Sequence, residues 1–290
     1  MTPHPTTVSQ TRPAPAEVAC VGDNCVDVAE RPGAVELAGG NAFNVAVELA
    51  RAGRRTAYHG AVGDDTAGAV ILAAAHAAGV DVSGVHRVHG ATGRTVVAHG
   101  PDGDRVFVSE DYGVAAGYRL DAATAAVVGA ARWVHFARQA DAEDWAPALR
   151  AAGARLSCDF GDAADLEAIA PLCRELDVAF LSEPAGDEDG AAALLAGALG
   201  TGARLAVVTL GAAGSVARRG GRTWRAPAVP VAPVVDTLGA GDAFIAAFVG
   251  AQLRDDADID AALAAGAAAG AAACTRIGLA SPLPPTEVPA

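Results

Sequence analysis

Short apolar runs alternate with segments of helical periodicity along most of the chain. The apolar runs predict strands at 18–22, 56–61, 132–136, 155–160, 177–182 and 204–210. The helical pattern predicts helices near 41–50, 66–78, 121–130, 143–151, 164–174 and 187–199. Such alternation is typical of right-handed βαβ units, so we predict an α/β fold with a mainly parallel sheet and helices on both faces.

One stretch departs from this alternation. Residues 94–99 and 105–109 are rich in β-branched side chains and flank the turn sequence Gly100-Pro101-Asp102-Gly103. The pattern predicts a β-hairpin inserted into an α/β chain. Residues 28–38 have the length of a second small hairpin, so we expect a small β element built from 28–38 and 85–110.

The ends of the chain are predicted to lie outside the folded domain. Residues 1–16 contain four prolines and predict a disordered tail, and residues 281–290 predict a C-terminal tail. The chain has 290 residues, of which 52% are hydrophobic, and this is enough to bury a large core. We therefore predict one domain over residues 17–280.

Composition excludes several classes of protein. A formal net charge of −13 argues against a nucleic-acid or anionic-membrane surface, because such partners require clustered basic residues. No lysine occurs, so all 21 basic residues are arginine. This excludes a Walker-type P-loop, a protein-kinase site and Schiff-base chemistry, each of which uses a lysine. Any phosphate must be held by backbone amides, arginine or metal.

The cysteines and the apolar segments favour a cytoplasmic protein. The five cysteines lack a C-x-x-C pair and predict buried, reduced thiols. Residues 261–274 are the longest weakly polar run, but alanine and glycine are too weakly apolar to span a bilayer. Gly266 and Gly270 instead predict a helix packed closely on a sheet. The N-terminus has no apolar signal-peptide core, so we expect no secretory signal.

A glycine-rich turn followed by a helix offers the clearest chemistry. Val234-Val235 predict an extended segment, Gly239-Ala240-Gly241 predict a tight turn, and the apolar residues 244, 245, 248 and 249 predict the buried face of a helix. Exposed turn amides and the positive end of the helix dipole form an anion site. Asp242 lies beside it, either as a base for phosphoryl transfer or as an acidic residue that complements the helix dipole.

A second glycine pair precedes a helix near the N-terminus. Gly39 and Gly40 come before a helical stripe of apolar residues, and Asn41 is placed to cap that helix. An ordinary turn and cap is one interpretation. The other is that the two glycines let a sugar approach the backbone while Asn41 and Asn44 bind its hydroxyl groups.

These two stretches resemble the signatures of the PfkB (ribokinase-like) family of carbohydrate kinases. Asp236-Thr237-Leu238-Gly239-Ala240-Gly241-Asp242 is similar to the family's D-T-x-G-A-G-D motif, and residues 39–46 are similar to its G-G-x-x-x-N-x-A region. The resemblance implies a ribokinase-like three-layer sandwich with a small β lid from 28–38 and 85–110. It also implies ATP-dependent phosphorylation of a sugar, with Asp242 as catalytic base beside the amides of Gly239, Ala240 and Gly241.

Three stretches resemble, within that family, the kinases of fructosyl-amines: Val21-Gly22-Asp23-Asn24-Cys25-Val26-Asp27, Gly79-Val80-Asp81-Val82-Ser83 and Asp104-Arg105-Val106-Phe107. This resemblance implies phosphorylation of the 6-hydroxyl, with Asp27 as a ligand of sugar hydroxyls after the first strand. Glu110 and Asp111 are acidic residues expected to face the cationic tail of such a substrate. Another sugar, such as ribose or fructose, and a non-catalytic sugar-binding regulator are the alternatives, and a homodimer through the lid is a hypothesis.

The nucleotide side is predicted from a strand and turn. Residues 207–214 resemble the family's ATP-binding strand and turn, which implies nucleotide contacts at Thr209, Gly211 and Gly214. A plain hairpin turn is the alternative. A nicotinamide oxidoreductase is disfavoured, because no G-x-G-x-x-G follows the first strand.

The metal side departs from the family. The resemblance implies Mg²⁺, but Ser182-Glu183-Pro184-Ala185 replaces the family's N-x-x-E motif. Glu183, Glu188 and Asp159 are candidate substitutes, with helix capping as the alternative for Asp159. No metal ligand is assigned from the sequence.

Overall fold

The computed structural model describes residues 15–29, 36–99, 105–137, 141–162 and 165–279. The strands in this part of the chain are β1 (Val18–Val21), β2 (Cys25–Ala29), β3 (Glu36–Gly39), β4 (Thr56–His59), β5 (Ala61–Gly63), β6 (His86–Val88), β7 (Thr92–His99), β8 (Arg105–Gly113), β9 (Trp133–Ala137), β10 (Arg155–Asp159), β11 (Val178–Ser182), β12 (Ala206–Thr209), β13 (Ser215–Arg219) and β14 (Arg222–Ala226). The α-helices are α1 (Asn41–Arg51), α2 (Thr66–Ala78), α3 (Ala122–Val128), α4 (Ala146–Ala151), α5 (Leu166–Cys173), α6 (Glu188–Gly200), α7 (Ala240–Gln252) and α8 (Ile259–Ala273).

The main sheet has eight strands in the order β14-β13-β12-β11-β10-β9-β1-β4. The strands from β4 to β12 in that order pair in parallel, and β13 and β14 form an antiparallel edge. From β1 the chain goes first to β4 on one side and later to β9 on the other. The strand order therefore switches direction between β1 and β9, where open α/β sheets bind ligands at their carboxyl ends.

Helices cover both faces of the sheet. Val18 and Cys20 of β1 pack with α1, α2, α7 and α8 in one apolar cluster. Ala19 and Val21, the alternate residues of the same strand, pack with α3 to α6 in a second cluster. A strand buried on both faces reads as a continuous apolar run, which is why the sequence predicted it. The predicted three-layer α/β fold is confirmed.

A separate four-stranded sheet has the order β3-β2-β7-β8 and forms the lid. Strands β2 and β3 are antiparallel, as are β7 and β8, so both predicted hairpins occur. Their connecting residues 30–35 and 100–104 lie outside the described residues. β8 extends to Gly113, four residues beyond the end of the predicted strand, and this extension adds Tyr112 to the predicted lid.

Most predicted elements agree with the structure to within a few residues, and α2 has the predicted bounds. The strand predicted at 56–61 is divided into β4 and β5 at Gly60. Helix α4 begins at Ala146, three residues after its predicted start. The predicted tails fall almost entirely outside the described residues.

One predicted placement is wrong, and a second is right only in part. Asp27 does not lie at the carboxyl end of β1, because Cys25–Ala29 forms a strand of its own in the lid. Helix α8 packs mainly on another helix, α7, rather than only on the sheet. A methyl group added at Gly266 would meet the ring of Phe244 at 2.7 Å, so this glycine permits close helix packing. No helix in the described residues has the length and apolar character needed to cross a membrane.

Candidate active site

A cavity of about 590 Å³ lies between the lid and the carboxyl ends of β1 and β10. The floor of the cavity is formed by residues of α1, of the segment at the start of α7 and of the loop after β10. Its lid side is formed by residues of β2, β7 and β8. The lining consists of Asp23, Cys25, Asp27, Gly40, Asn41, Asn44, Thr95, Glu110, Tyr112, Asp159, Phe160, Gly161, Asp162, Leu238 and Asp242. Most of the predicted catalytic and sugar-binding residues are therefore brought to one place.

Asp242 stands at the start of α7, as predicted. Gly239 is the residue before the helix, with φ of 77°, and Asp242 lies in the first helical turn. Backbone N–H groups in that turn have no partner within the helix and point out of its end. Helix α7 packs beside α1, and this contact brings Asp242 against the asparagines of α1.

Two asparagines of α1 hold the carboxylate of Asp242. Asn44 Nδ2 donates to Oδ2 at 2.7 Å, and Asn41 Nδ2 lies 3.2 Å from Oδ1. Asn41 Nδ2 also donates to Asp159 Oδ2 at 2.5 Å. The predicted role of Asn41 as a helix cap is wrong, because Gly40 holds the cap position without a side-chain bond. Whether Asn41 and Asn44 also contact a sugar stays a prediction.

Asp23 supplies the cap that Asn41 does not. Its two carboxylate oxygens accept from the backbone N–H groups of Asn41 at 3.0 Å and Ala42 at 3.1 Å. A carboxylate at this position complements the positive end of the helix dipole. The sequence shows that Asp23 directly follows the first predicted strand, but it does not show which groups Asp23 contacts.

The buried carboxylates raise one another's pKa. Burial raises the pKa of Asp242 well above the ordinary range, and the charges of Asp159, Asp23 and Asp27 raise it further, while the Asn44 bond lowers it. Burial likewise raises the pKa of Asp159 and of Asp23. A desolvated carboxylate with a raised pKa binds a proton more readily, as a general base requires.

Asp27 enters the cavity from the lid. Its Oδ1 lies 3.1 Å from the thiol sulfur of Cys25, which donates to it. Gly39, which pairs across from Cys25, passes so close that a methyl group there would collide with Oδ2 of Asp27. The first signature glycine is therefore required by the position of a side chain of this protein, whatever ligand also approaches it.

The predicted nucleotide residues lie elsewhere, at the ends of β12 and β13. Residues 211–213 form a short 3-10 turn between these antiparallel strands. Thr209 Oγ1 lies 3.0 Å from Ser182 Oγ. A methyl group at Gly214 would collide with the carbonyl of Ala226, so packing on β14 explains this glycine. The turn is a hairpin turn, and nucleotide contacts at Thr209, Gly211 and Gly214 stay a prediction.

The candidate metal ligands already have protein partners. Glu183 Oε2 accepts from the N–H of Asp187 at 2.6 Å, and Glu188 pairs with Arg225 at 3.3 Å. Asp159 Oδ1 accepts from the N–H of Gly161 at 2.9 Å, so it closes the turn after β10 and does not cap a helix. Within the described residues no group of three or more His, Cys, Asp or Glu is arranged to hold a metal ion. The described part of the chain thus offers Mg²⁺ no cluster of three or more such ligands.

Known structures share this architecture. The structure of a microbiome-derived acarbose kinase superposes with a TM-score of 0.78 at 29% identity, covering 91% of this chain and 94% of that chain. The chain thus shares its fold with this kinase.

The sequence places the protein more narrowly. Residues 16–286 match the pfkB family of carbohydrate kinases, and the chain belongs to that family. Fructoselysine 6-kinase of Escherichia coli (strain K12) is 40% identical over 233 residues, which is 80% of this chain and 87% of the relative. Fructosamine kinase FrlD of Bacillus subtilis (strain 168) is 32% identical over 234 residues, 80% of this chain and 81% of the relative. The predicted family and enzyme class are confirmed.

Proposed function

We propose that this carbohydrate kinase transfers the γ-phosphoryl group of ATP to the 6-hydroxyl of a fructosyl-amine such as fructoselysine. The supporting observation is the charge of the cavity. Among the described residues that line it are six acidic side chains and no arginine or histidine: Asp23, Asp27, Glu110, Asp159, Asp162 and Asp242. The names of the two relatives, fructoselysine 6-kinase and fructosamine kinase, support the same substrate class.

The physical argument is charge complementarity. The described lining residues offer these carboxylates no basic side chain, whereas a secondary ammonium next to the sugar offsets part of their charge. Glu110 and Tyr112 are two residues apart on β8 and both face the cavity, while Asp111 between them does not line it. Glu110 is therefore the proposed partner of the ammonium group, whereas Asp111, which was predicted to share this role, lies outside the lining.

The proposed mechanism assigns Asp242 as general base. Its carboxylate accepts the proton of the attacking 6-hydroxyl while Asn41 and Asn44 hold it in place. The N–H groups of Gly241 and Asp242 at the helix end stabilise charge on the transferred phosphoryl group. Asp27 orients the sugar from the lid side, and the unpaired buried Oδ1 of Asn44 is an acceptor for a sugar hydroxyl. Holding the reactants in this geometry supplies much of the catalysis in phosphoryl transfer.

The nucleotide is proposed to bind along the turn after β12, with contacts from Thr209, Gly211 and Gly214. Mg²⁺ is expected from the family, and in phosphoryl-transfer sites it is held largely by the substrate's phosphates and water, with one or two carboxylates. No step proposed here depends on it. A cytoplasmic location and a dimer through the lid remain hypotheses.

A substrate comparison tests the proposal. ATP consumption by the purified protein is measured with fructoselysine, with fructose and ribose, and with a fructosyl ether of the same length that lacks the amine. NMR of the product locates the phosphate. We expect the highest kcat/KM for fructoselysine and a phosphate on oxygen 6. Equal turnover of fructose or of the ether would overturn the substrate class, and no turnover of any sugar would overturn kinase activity.

A further inference from the structure

Four polar side chains connect the core of the sheet to the site. Trp133 Nε1 donates to Ser157 Oγ at 2.8 Å, and Ser157 Oγ lies 2.9 Å from His135 Nδ1. His135 Nε2 lies 3.5 Å from Asn41 Oδ1. We call this series of side chains in contact, Trp133, Ser157, His135 and Asn41, the buried chain. Its first three members are fully buried residues of β9 and β10, and the mechanism above does not use them.

The direction of hydrogen bonding along the buried chain is fixed at the site end. Ionised carboxylates only accept, so the amide nitrogen of Asn41 must face Asp159 and Asp242. Asn41 Oδ1 then faces His135, whose Nε2 must carry a hydrogen to donate to it. In a neutral imidazole Nδ1 is then without hydrogen and accepts from the Ser157 hydroxyl.

The core end is compatible with the same direction. The indole N–H of Trp133 can only donate, so Ser157 Oγ accepts from it and has its own hydrogen available for His135. Burial lowers the pKa of His135 to about 3, which keeps the ring neutral and leaves one hydrogen to place. The site end thus requires hydrogen on Nε2, and the core end permits it. The contact to Asn41 is long, and such bonds in catalytic sites tighten when substrate binds.

We propose that His135 is a positioning residue, whose Nε2–H orients the Asn41 amide so that its nitrogen faces the carboxylates of Asp159 and Asp242. This inference rests on the proposed function in which Asp242 is the base. Without the donor, the oxygen of the Asn41 amide loses its contact, and the nitrogen can shift away from Asp242 although the carboxylates still attract it. Asn44 alone would then hold Asp242, and a base displaced by a fraction of an ångström loses rate.

A spectroscopic measurement tests the tautomer without reference to activity. The protein has seven histidines, so selective ¹⁵N-histidine labelling gives a small set of side-chain signals, and those of His135 are assigned by their loss in H135Q. We expect a neutral ring with hydrogen on Nε2 at pH 7. Hydrogen on Nδ1, or a doubly protonated ring, would overturn the inference.

A pair of substitutions tests the consequence. The terminal amide of glutamine reaches the place of Nε2, so H135Q keeps a donor to Asn41. The shorter asparagine reaches only the place of Nδ1, so H135N keeps a partner for Ser157 but loses that donor. We expect kcat to fall roughly 10- to 100-fold in H135N, with both KM values nearly unchanged, and H135Q to recover most of it. Equal losses in both variants, or a full rate in H135N, would overturn the positioning role.

The experiments distinguish a failure of the proposed base, Asp242, from a failure of the positioning role of His135. If Asp242→Asn keeps its activity, Asp242 is not the base, and the tautomer of His135 is still measured by NMR. If Asp242→Asn is inactive and H135N is fully active, the base stands and the positioning role alone is lost. Thermal transitions of H135N and H135Q, compared with each other, separate misfolding from a loss of positioning.

Discussion

Asn44 donates its side-chain amide to Oδ2 of Asp242 at 2.7 Å, although 198 residues separate them in the sequence. The bond joins the helix after the first glycine pair to the helix after the second. Because both helices pack on the same face of the sheet, the two stretches form one site. The amide that fixes the carboxylate also lowers its raised pKa, so Asn44 both places Asp242 and limits its affinity for a proton.

Replacing Asp27 with alanine should impair sugar binding. Asp27 lines the lid side of the cavity, away from the turn proposed for the nucleotide. Loss of a hydrogen bond to a charged group costs about 1.5–3 kcal/mol, so sugar KM should rise roughly 10- to 100-fold with little change in ATP KM. Steady-state kinetics with each substrate varied in turn measures this. An equal rise in ATP KM would make Asp27 a structural residue.

Gly39→Ala offers an independent route to the same effect. The added methyl group would collide with the Asp27 carboxylate and displace it without removing its charge. We expect sugar KM to rise in this variant as well, while Asp27→Ala combined with Gly39→Ala should be little worse than Asp27→Ala alone. Additive effects of the two substitutions would show that Gly39 acts through something other than Asp27.

Glu110 and Asp111 form a matched pair for testing substrate charge. Both are exposed residues of β8, but Glu110 lines the cavity and Asp111 accepts from the N–H of Gly113 outside it. Glu110→Gln should raise KM for fructoselysine several-fold more than KM for fructose, with an effect on the order of 1 kcal/mol because the pair is exposed to water. Asp111→Asn should change neither the KM for fructoselysine nor the KM for fructose. A similar rise in the KM for fructoselysine in both variants would indicate that the negative charge of this region as a whole, and not Glu110 itself, favours the substrate.

The fold was predictable because its signals are local. Strands buried on both faces appear as apolar runs, and Asp, Gly and Pro mark the turns between them. Asp65, Asp121, Asp187 and Asp258 each accept from a backbone N–H at the start of a helix, and such caps fix helix starts to within a residue or two. Element ends without such a cap, as in α4, were predicted less well.

The site was predictable only in part, because its geometry depends on contacts between distant segments. The glycine turns and Asp242 have sequence signatures, but nothing in the sequence pairs Asp23 with the N–H groups of α1 or Asn41 with Asp159. Asp27 was placed on the wrong element, because Gly22, Asp23 and Asn24 interrupt the chain between β1 and β2. His135 lies within an apolar strand, where a histidine is more often a core residue than part of a site.

The acidic limb of the pH–rate profile should reflect the raised pKa of Asp242. As pH falls through that pKa the base becomes protonated, so kcat/KM should decline at a pH above the range of ordinary aspartates, which is near 4. Asp159→Asn removes a neighbouring negative charge, which favours the ionised form of Asp242. We therefore expect the limb to move to lower pH in Asp159→Asn and to stay in place in Asp111→Asn. A limb that moves upward would contradict this coupling.

Asp242→Asn should abolish most of the rate while the fold survives. Asparagine cannot accept the proton of the attacking hydroxyl, and loss of a general base typically lowers the rate by roughly 10²–10⁴. Asn41 and Asn44 both direct a side-chain nitrogen at this carboxylate. An asparagine at position 242 has its own NH₂ group, which needs an acceptor, so one of the two neighbouring amides must turn its oxygen towards it. Asn44 can do so, since its buried Oδ1 has no partner among the described residues. We expect kcat to fall by that factor with both KM values little changed.

The thermal transition of Asp242→Asn distinguishes a catalytic from a structural role. A carboxylate whose pKa is higher in the folded state destabilises that state once it is ionised. This loss of stability is absent below the ordinary aspartate pKa and grows as the pH rises through the raised pKa. The neutral asparagine avoids this loss. The variant should therefore melt no lower than the parent protein at pH 7, and its advantage should shrink towards pH 4. A lower melting temperature together with lost activity would favour the alternative in which Asp242 mainly caps α7, and normal turnover would remove it from the mechanism.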